Sequence, residues 1–257
     1  MGAHEDRVAL VTGAGSGIGR AATERIVAEG GSVVAVDLTA DKLSWAAGND
    51  RIATIAGDVT SEALNAEAVA LALDRFGRLD ATILNAGIPK SGDILTLPLE
   101  EFDRAMEVNV RAVVLGVRAA VPAMRASGRG GAIVVTASTS GIAGDPNMWP
   151  YNTSKGAVVN LVRGLAQDLG ADGIRINAVC PGPTETGMTA GLREMSDVHE
   201  ALRRRIALQR WGLAREVAAV ISFLASSDAS FVTGAIVPAD GGISANSGQF
   251  LPREASA

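Results

Sequence analysis

Residues 8–37, VALVTGAGSGIGRAATERIVAEGGSVVAVD, carry the pattern that decides the fold. An apolar run at residues 8–11 leads into a glycine-rich turn, a helix-like stretch follows, and a second apolar run ends at Asp37. Short apolar runs on either side of a helical stretch are typical of two parallel strands joined by a helix. We therefore predict an α/β fold built on a parallel sheet.

The glycine-rich turn has the spacing GxxxGxG through Gly13, Gly17 and Gly19, which differs from the commoner GxGxxG. Glycine lets the backbone approach a ligand closely and leaves backbone amides free. A pyrophosphate can then lie against the N-terminal end of the following helix, where the helix dipole and the N–H groups favour an anion. Between two apolar strands, this turn, which also contains Ser16 and Ile18, predicts a dinucleotide site.

Asp37, at the end of the second apolar run, is expected to face the adenosine ribose of that dinucleotide. Its carboxylate can accept hydrogen bonds from the ribose hydroxyls and would repel a 2′-phosphate, so the sequence favours NAD over NADP. Ser16 in the turn and Leu38 after the aspartate agree with this preference, because neither supplies a cation for a phosphate. The alternative is that Asp37 caps the next helix.

A second informative stretch is TASTSGIAGDPNMWPYNTSK, which begins at Thr136 and contains Ser138, Tyr151 and Lys155. If Pro150 opens a helix, Tyr151 and Lys155 stand at positions i and i+4 and share a face. An ammonium group beside a phenol favours phenolate, so we expect a lowered pKa for Tyr151 and proton transfer by its hydroxyl. Ser138 would end a strand and hold an alcohol or carbonyl oxygen. The alternative is an ordinary helix that follows a serine in a turn.

Two strands are predicted between these stretches. The first covers residues 51–59 and ends in Asp58 and Val59, and the Asp58 carboxylate could accept a hydrogen bond from an adenine amino group. The second ends in Asn85-Ala86-Gly87, where small residues permit a close approach to the cofactor. Both strand ends therefore add to the predicted dinucleotide site.

Two helices are predicted beside the sheet. Residues 99–127 form a long helix with Asn109 in its interior, where asparagine is unfavourable because its amide competes for backbone hydrogen bonds. Asn109 therefore either satisfies a local kink or belongs to a polar network. The helix at residues 151–169 is apolar on more than one side, which indicates a second buried surface and a partner subunit.

The C-terminal part of the chain contains a polar loop, residues 181–186, after a further strand. Residues 187–213 lack a clean period and are predicted to form a mobile lid over the site. A helix, a strand near residues 235–238 and a tail at residues 243–257 follow. Because no linker-like composition or repeat occurs, we expect residues 1–257 to form a single domain.

Composition excludes several classes of function. The net charge of −5 and the pI near 5.2 argue against a nucleic-acid partner. Cys180 is the only cysteine and His4 and His199 are the only histidines, so we expect no disulfide and no metal site. The sequence has neither a signal-like N-terminus nor an apolar run that could span a bilayer, so we expect a soluble, cytoplasmic protein without a membrane partner.

These motifs, in this order, resemble the short-chain dehydrogenase/reductase family across nearly the whole chain, from Arg7 to about Gly242. The positions that carry the resemblance are Thr12, Gly13, Gly17, Gly19, Asp58, Asn85, Ala86, Gly87, Asn109, Ser138, Tyr151, Lys155, Pro181, Gly182 and Thr186. The resemblance implies a single Rossmann-like, doubly wound domain with seven parallel strands in the order 3-2-1-4-5-6-7 and helices on both faces. Ala137 stands where many relatives have a second serine, but Ser138 keeps the catalytic place.

The resemblance also implies a role for each motif. The catalytic residues would be Asn109, Ser138, Tyr151 and Lys155. Lys155 would also hold the nicotinamide ribose, while Thr186 and the backbone near Thr184 would bind the carboxamide. The full set of cofactor contacts that we assign is Gly13, Ser16, Gly17, Ile18, Gly19, Asp37, Leu38, Asp58, Val59, Asn85, Ala86, Gly87, Tyr151, Lys155, Pro181, Gly182, Thr184 and Thr186.

The expected reaction is the reversible oxidation of a secondary alcohol by NAD. Tyr151 takes the hydroxyl proton, Ser138 steadies the oxygen, and Lys155 lowers the pKa of the tyrosine. Asn109 would hold a water that joins the lysine to solvent. One alternative is a 3-oxoacyl thioester reductase, which would fit NADP better than Asp37 allows. The other is a NAD-binding protein without turnover.

The sequence says less about the substrate and the oligomeric state of the protein. Apolar residues near the expected pocket favour a mostly apolar alcohol or ketone, and no basic residue is clearly placed to hold a carboxylate or phosphate. These apolar residues are Pro146, Trp149, Met188, Leu192 and Met195. The apolar helices, together with the habits of the family, predict a homotetramer.

Overall fold

Seven parallel strands form one sheet in the computed structural model, which describes residues 2–253. The strands are β1 (Val8–Thr12), β2 (Ser32–Asp37), β3 (Ile52–Ala56), β4 (Ala81–Leu84), β5 (Gly131–Thr136), β6 (Ile174–Pro181), β7 (Thr184–Glu185), β8 (Gly212–Leu213) and β9 (Ile236–Ala239). The spatial order in the sheet is β3-β2-β1-β4-β5-β6-β9, and the short strands β7 and β8 pair separately. Since β9 is the seventh strand of the sheet, the predicted order is confirmed.

Helices cover both faces of the sheet, as predicted. They are α1 (Gly17–Ala28), α2 (Ala40–Leu43), α3 (Glu62–Phe76), α4 (Leu99–Met106), α5 (Ala112–Ser127), α6 (Trp149–Leu169), α7 (Ala190–Glu194), α8 (Ser196–Arg205) and α9 (Ala214–Ala225). Successive strand residues point to opposite faces. In β1, Val11 packs in the core beneath α1 and α9, whereas Leu10 packs in the core beneath α3, α5 and α6.

The strands are nearly continuous apolar runs because both faces of the sheet are buried. Two strands end earlier than predicted. β3 ends at Ala56, before Asp58 and Val59, and β5 ends at Thr136, before Ser138. These three residues therefore lie in the loops at the carboxyl edge of the sheet, where a ligand of a doubly wound fold binds.

The helix predicted over residues 99–127 is interrupted by a π-helical turn, Glu107–Arg111, which contains Asn109. A π turn inserts one extra residue and is frequent at functional sites. Both expectations for Asn109 are met, since it lies at an irregular turn and its amide joins a buried hydrogen-bond network.

Residues 187–213 are more regular than predicted, because they include α7 and α8. β7 pairs with β8, so the ends of this segment lie side by side. Ile206 and Trp211 are buried at its base, and the Trp211 ring stacks on His199 with centroids 5.0 Å apart. Residues 187–213 thus form a helical segment that is anchored at both ends.

The chain ends also contribute to the described structure. Near the N-terminus, His4 is fully buried, and its Nε2 lies 3.1 Å from the Ser222 Oγ on α9. In the predicted tail, Phe250 and Leu251 are exposed, while residues 254–257 lie outside the described residues. No helix in the described part of the chain is both long and apolar enough to cross a bilayer.

Candidate active site

The glycine-rich turn is shaped by contacts that leave no room for side chains. Gly13 and Gly17 adopt positive φ angles of 67° and 51°, which L-residues rarely adopt. A Cβ on Gly19 would lie 2.1 Å from the Gly13 carbonyl oxygen. Asn85 holds the turn from the next strand, because its Nδ2 donates to the Thr12 carbonyl oxygen at 3.1 Å. The backbone here is therefore fixed by close contact.

The N-terminal end of α1 suits the phosphates of a dinucleotide. Ser16 is the N-cap residue, but its side chain caps none of the first backbone N–H groups, and the first turn contains no acidic residue. These N–H groups and the helix dipole favour an anion. A Cβ on Gly17 would lie 3.3 Å from the Thr186 side chain, so the 181–186 loop borders the same cleft. The residues present therefore fit a dinucleotide.

Asp37 ties the end of β2 to the glycine-rich turn. Its Oδ2 accepts from the Gly15 N–H at 2.9 Å and its Oδ1 from the Leu38 N–H at 2.8 Å. Lys42, which the sequence analysis missed, places its Nζ 3.5 Å from the Asp37 Oδ1. A Cβ on Gly15 would lie 2.7 Å from the Lys42 Cβ, so this lysine lies against the turn. The side chain of Leu38 is exposed.

Asp58 and Val59 are engaged by neighbouring residues. The Asp58 Oδ1 accepts from the Thr60 N–H at 2.9 Å, and Arg104 donates to its Oδ2 at 3.1 Å. The hydrogen bond from the Thr60 backbone is the main cause of a lowered pKa for Asp58. Val59 packs against the core, and its carbonyl accepts from Asn65 at 2.8 Å. The Asp58 carboxylate therefore remains anionic, and its side chain stays part-exposed.

Tyr151 and Lys155 share a face of α6, which begins one residue before Pro150. The Lys155 Nζ lies 5.6 Å from the centre of the Tyr151 ring and donates to the Thr136 carbonyl oxygen at 2.9 Å. That carbonyl ends β5, just before Ser138. The ammonium group is almost completely buried. The predicted spacing thus brings the three side chains to one place.

The pKa of Tyr151 is raised, so the expected lowering is wrong in this structure. Burial of the phenol is the largest cause and outweighs a hydrogen bond with Ser138, which acts in the opposite direction. Burial likewise lowers the pKa of Lys155 to about 8, because the charged form loses solvation. The i, i+4 pattern identified the neighbours but could not reveal how deeply both groups are buried.

Ser138 is oriented by the short helical turn that follows it. Its Oγ accepts from the Ser140 N–H at 3.1 Å, so its own O–H remains able to donate. Beneath it lies Cys180, a second residue that the sequence analysis did not assign to the site. Burial raises the pKa of the Cys180 thiol to about 11, and the Ser138 backbone N–H partly offsets this effect. The thiol is therefore neutral and packs below the site.

Asn109 links the π-helical turn to two neighbouring elements. Its Oδ1 accepts from the Ile88 N–H at 2.8 Å, and its Nδ2 donates to the Ser154 Oγ at 3.0 Å. A Cβ on Gly87 would lie 3.1 Å from the Asn109 Oδ1 and 3.4 Å from the Lys155 Nζ. Gly87 therefore lets the loop after β4 pass between this amide and the lysine.

The 181–186 loop closes the cleft on the side of α7. The Thr184 Oγ1 donates to the Gly182 carbonyl at 2.9 Å, and the Thr189 Oγ1 donates to the Thr184 carbonyl at 2.6 Å. A Cβ on Gly182 would lie 2.8 Å from the Asp240 Cβ. Pro181, the last residue of β6, is buried. The loop is thus fixed between the sheet and the first turn of the 187–213 segment.

This chain is similar to several known proteins. A family model described as enoyl-(acyl carrier protein) reductase matches residues 13–244. The 2-(R)-hydroxypropyl-CoM dehydrogenase of Xanthobacter autotrophicus is 40% identical over 248 residues, which cover 93% of this chain and 99% of that protein. The meso-2,3-butanediol dehydrogenase of Serratia marcescens is 39% identical over 248 residues, covering 95% and 97%. A crystal structure of levodione reductase is 37% identical with a TM-score of 0.89, covering 94% and 99%.

Proposed function

The chain belongs to the short-chain dehydrogenase/reductase family, and on that premise we propose that it interconverts a mostly apolar secondary alcohol and its ketone with NAD. An oxidoreductase of alcohols or ketones that uses a nicotinamide cofactor follows from the family. One observation carries the proposed chemistry: the Tyr151 phenol lies close to Ser138 and beside Lys155 at the carboxyl edge of the sheet.

In the proposed mechanism, Tyr151 is the general base for alcohol oxidation and the general acid for ketone reduction. Ser138 donates its O–H to the substrate oxygen, because its own oxygen already accepts from the Ser140 N–H. Lys155, held by the Thr136 carbonyl, retains further N–H groups for the tyrosine oxygen and the nicotinamide ribose. The nicotinamide, when bound, supplies the hydride acceptor or donor.

Asn109 has a supporting part in this proposal. It fixes the backbone of Ile88 and contacts Ser154, one residue before Lys155. Because its Oδ1 and the Lys155 Nζ both lie beside Gly87, a water held at this place could connect the lysine to solvent. Such a relay would return to the site the proton that Tyr151 gives up.

NAD is the proposed cofactor because Asp37 puts a carboxylate where the adenosine ribose is expected. The carboxylate keeps acceptor capacity beyond the two backbone N–H groups that it already binds. Lys42 reduces the net negative charge at this point. We therefore expect NAD to be preferred, with a smaller factor than an isolated carboxylate would give.

The proposal is tested with purified protein, both cofactors and a panel of secondary alcohols, by following the near-ultraviolet absorbance of the reduced nicotinamide. We expect reduction of NAD with apolar alcohols. Turnover confined to acyl thioesters with NADP would favour the thioester reductase. Dinucleotide binding without turnover of any alcohol or ketone would favour a NAD-binding protein instead.

We propose that residues 187–213 form the lid over the substrate. Their base is anchored by Ile206 and Trp211, while Met188, Leu192 and Met195 expose apolar side chains. An anchored base with exposed apolar residues is suited to close on an apolar substrate and exclude water. Trp149, also expected near the pocket, stacks on Phe102 of α4 with centroids 5.4 Å apart.

The homotetramer remains a prediction, and one of its reasons is weaker than the sequence indicated. Most of the apolar residues of α6, including Val158 and Val162, are buried in the core of the chain itself. Leu161 and Leu165 are only partly buried and remain available to a partner. Light scattering at micromolar concentration tests the assembly, and a monomer would contradict it.

A further inference from the structure

An acidic side chain lies in the loop that joins the two halves of the proposed catalytic set. Asp145 belongs to residues 142–148, which follow the turn after Ser138 and precede Tyr151. Its Oδ2 accepts from the Ser140 Oγ at 2.5 Å, and the Ser140 N–H in turn donates to the Ser138 Oγ. Ser140 therefore links the Asp145 carboxylate to Ser138, the proposed catalytic serine.

The position of this loop is fixed by contacts on both sides. The Asn152 Nδ2 donates to the Asp145 carbonyl at 2.9 Å, which ties the loop to the first turn of α6. The Gly92 N–H donates to the Asn147 carbonyl at 2.8 Å, which ties it to the loop after β4. Asn147 adopts a φ of 59°, in the left-handed region that asparagine tolerates. The carboxylate is thus presented from an ordered backbone.

The charge of Asp145 is available to a ligand. The residue is exposed, and within residues 2–253 only Ser140 hydrogen-bonds its carboxylate, through Oδ2. The negative charge also reaches the phenol, because it contributes to the raised pKa of Tyr151. An exposed carboxylate with an open oxygen, linked through Ser140 to Ser138, can accept a hydrogen bond from a substrate and repels an anion.

We propose that Asp145 is a specificity residue that accepts a hydrogen bond from a second hydroxyl group of the alcohol substrate. The inference rests on the proposed function and narrows its substrate class to neutral diols and related polyhydric alcohols with an otherwise apolar skeleton. Alcohols that carry a carboxylate, phosphate or sulfonate are disfavoured by the same charge. Ser140 positions the carboxylate.

The test uses three alcohols with one four-carbon skeleton: the simple secondary alcohol, the diol with a hydroxyl on the neighbouring carbon, and the hydroxy acid with a terminal carboxylate. We expect the wild type to favour the diol over the simple alcohol by about tenfold in kcat/KM, the size of one hydrogen bond to a charged group. The hydroxy acid should be the poorest of the three.

Two variants separate recognition from loop positioning. Asp145→Asn keeps an acceptor but removes the charge, so we expect the hydroxy acid to gain while the diol preference falls by a few-fold. Asp145→Ala should abolish the diol preference, measured as the ratio of kcat/KM for the diol to kcat/KM for the simple alcohol, because any effect of the lost charge on Tyr151 is common to both alcohols and cancels in the ratio. Ser140→Ala should weaken the preference less, because the carboxylate remains.

The outcomes distinguish this inference from the proposed function. If every substrate loses the same factor in both Asp145 variants, the residue only positions the loop and the inference is wrong. Wild-type turnover with equal preference for the three alcohols, or preference for the hydroxy acid, also overturns it and leaves the proposed function standing. Absence of turnover with any alcohol overturns both.

Discussion

The glycine-rich turn and residues 187–213, which we propose as the substrate lid, are built differently. A Cβ on Gly13, Gly15 or Gly19 would come within 3.0 Å of another atom, whereas one on Gly187 or Gly191 would meet nothing within 4 Å. The backbone of the turn is fixed by close contacts with neighbouring atoms. The 187–213 segment instead presents exposed apolar side chains and is anchored by the buried residues Ile206 and Trp211. The proposed dinucleotide site is therefore preformed, and the proposed lid can change its side chains without disturbing the fold.

The proposed catalytic groups belong to neither of these two regions. Tyr151 and Lys155 lie near the start of α6, a long helix that packs in the main core. Rigid elements hold a reacting geometry more accurately than loops do. The proposed substrate contacts of residues 187–213 are thereby separated from the proposed catalytic groups, so variants in these two regions should have separable effects.

The largest expected effect is that of Tyr151→Phe, which removes only the hydroxyl that we propose transfers the proton. We expect kcat to fall by about 10² to 10⁴, because that is the contribution of a general acid or base. Dinucleotide affinity, measured by calorimetry, should be nearly unchanged, since the ring still packs. A variant that keeps more than about a tenth of kcat would mean that another group transfers the proton.

The next effect concerns pH and the stability of the protein. The pKa of Lys155 is about 8 in the fold, against an ordinary value of 10.5, so between these values the unfolded chain binds more protons. Stability therefore rises with pH through this window, by roughly 3 kcal/mol at most. Below it, burial of the charged ammonium destabilises the fold.

Lys155→Met should remove this rise. Denaturant unfolding of wild type and variant at several pH values measures the difference in stability, from which most of the contributions of Tyr151 and Cys180 are removed. Lys42→Met, at an exposed lysine, is the matched control and should retain the slope. Parallel curves for wild type and Lys155→Met would contradict the lowered pKa.

The substitutions Gly19→Ala and Gly187→Ala compare the glycine-rich turn with the 187–213 segment directly. The first inserts a Cβ 2.1 Å from a carbonyl oxygen, and we expect it to cost about 1–3 kcal/mol of unfolding free energy and to weaken dinucleotide binding. The second meets open space and should change stability by less than about 0.5 kcal/mol. Equal effects of the two substitutions would contradict the proposed difference between the closely packed glycine-rich turn and the open 187–213 segment.

The same contrast explains what could be read from the sequence. The run from Val8 to Asp37 predicted two strands, a helix and the glycine-rich turn correctly, because buried parallel strands are apolar throughout and the turn excludes side chains. The Tyr151 and Lys155 pair was also located correctly, since helical spacing brings the two to one face. Features of this kind depend on local sequence patterns alone, so they can be predicted without knowing the rest of the fold.

Other features depend on contacts that no local pattern contains. Lys42 returns to Asp37 only because the four-residue helix α2 turns the chain back, and so short an element has no detectable period. The five-residue α7 escaped prediction for the same reason. The direction of the Tyr151 pKa depends on burial by the whole fold, which sequence spacing does not measure.

Cofactor choice is expected to show a smaller but clear effect. A 2′-phosphate about 4 Å from Asp37 would face repulsion of around 4 kcal/mol at an effective dielectric near 20, which Lys42 and solvent reduce. We expect wild type to favour NAD by more than about tenfold in kcat/KM. Asp37→Ser should lower this ratio, Leu38→Arg added to it should reverse the preference, and Lys42→Met alone should raise the ratio. Equal use of both cofactors by the wild type would show that Asp37 does not face the ribose.

The smallest expected effect concerns exposed apolar residues of the 187–213 segment. It is the most direct test of the comparison between this segment and the rest of the site. Met188 is 52% exposed and Leu192 is 42% exposed, so truncating either to alanine should change the unfolding free energy by less than about 0.5 kcal/mol. If the segment closes over the substrate, each loss removes apolar contact area, and KM for an apolar alcohol should rise about threefold to tenfold while kcat stays nearly constant. Phe223→Ala, at a similarly exposed residue of α9, is the control and should leave both constants unchanged. A fall in kcat with unchanged KM would instead mean that these residues act on the chemical step, and the separation between the proposed catalytic groups and the 187–213 segment would not hold.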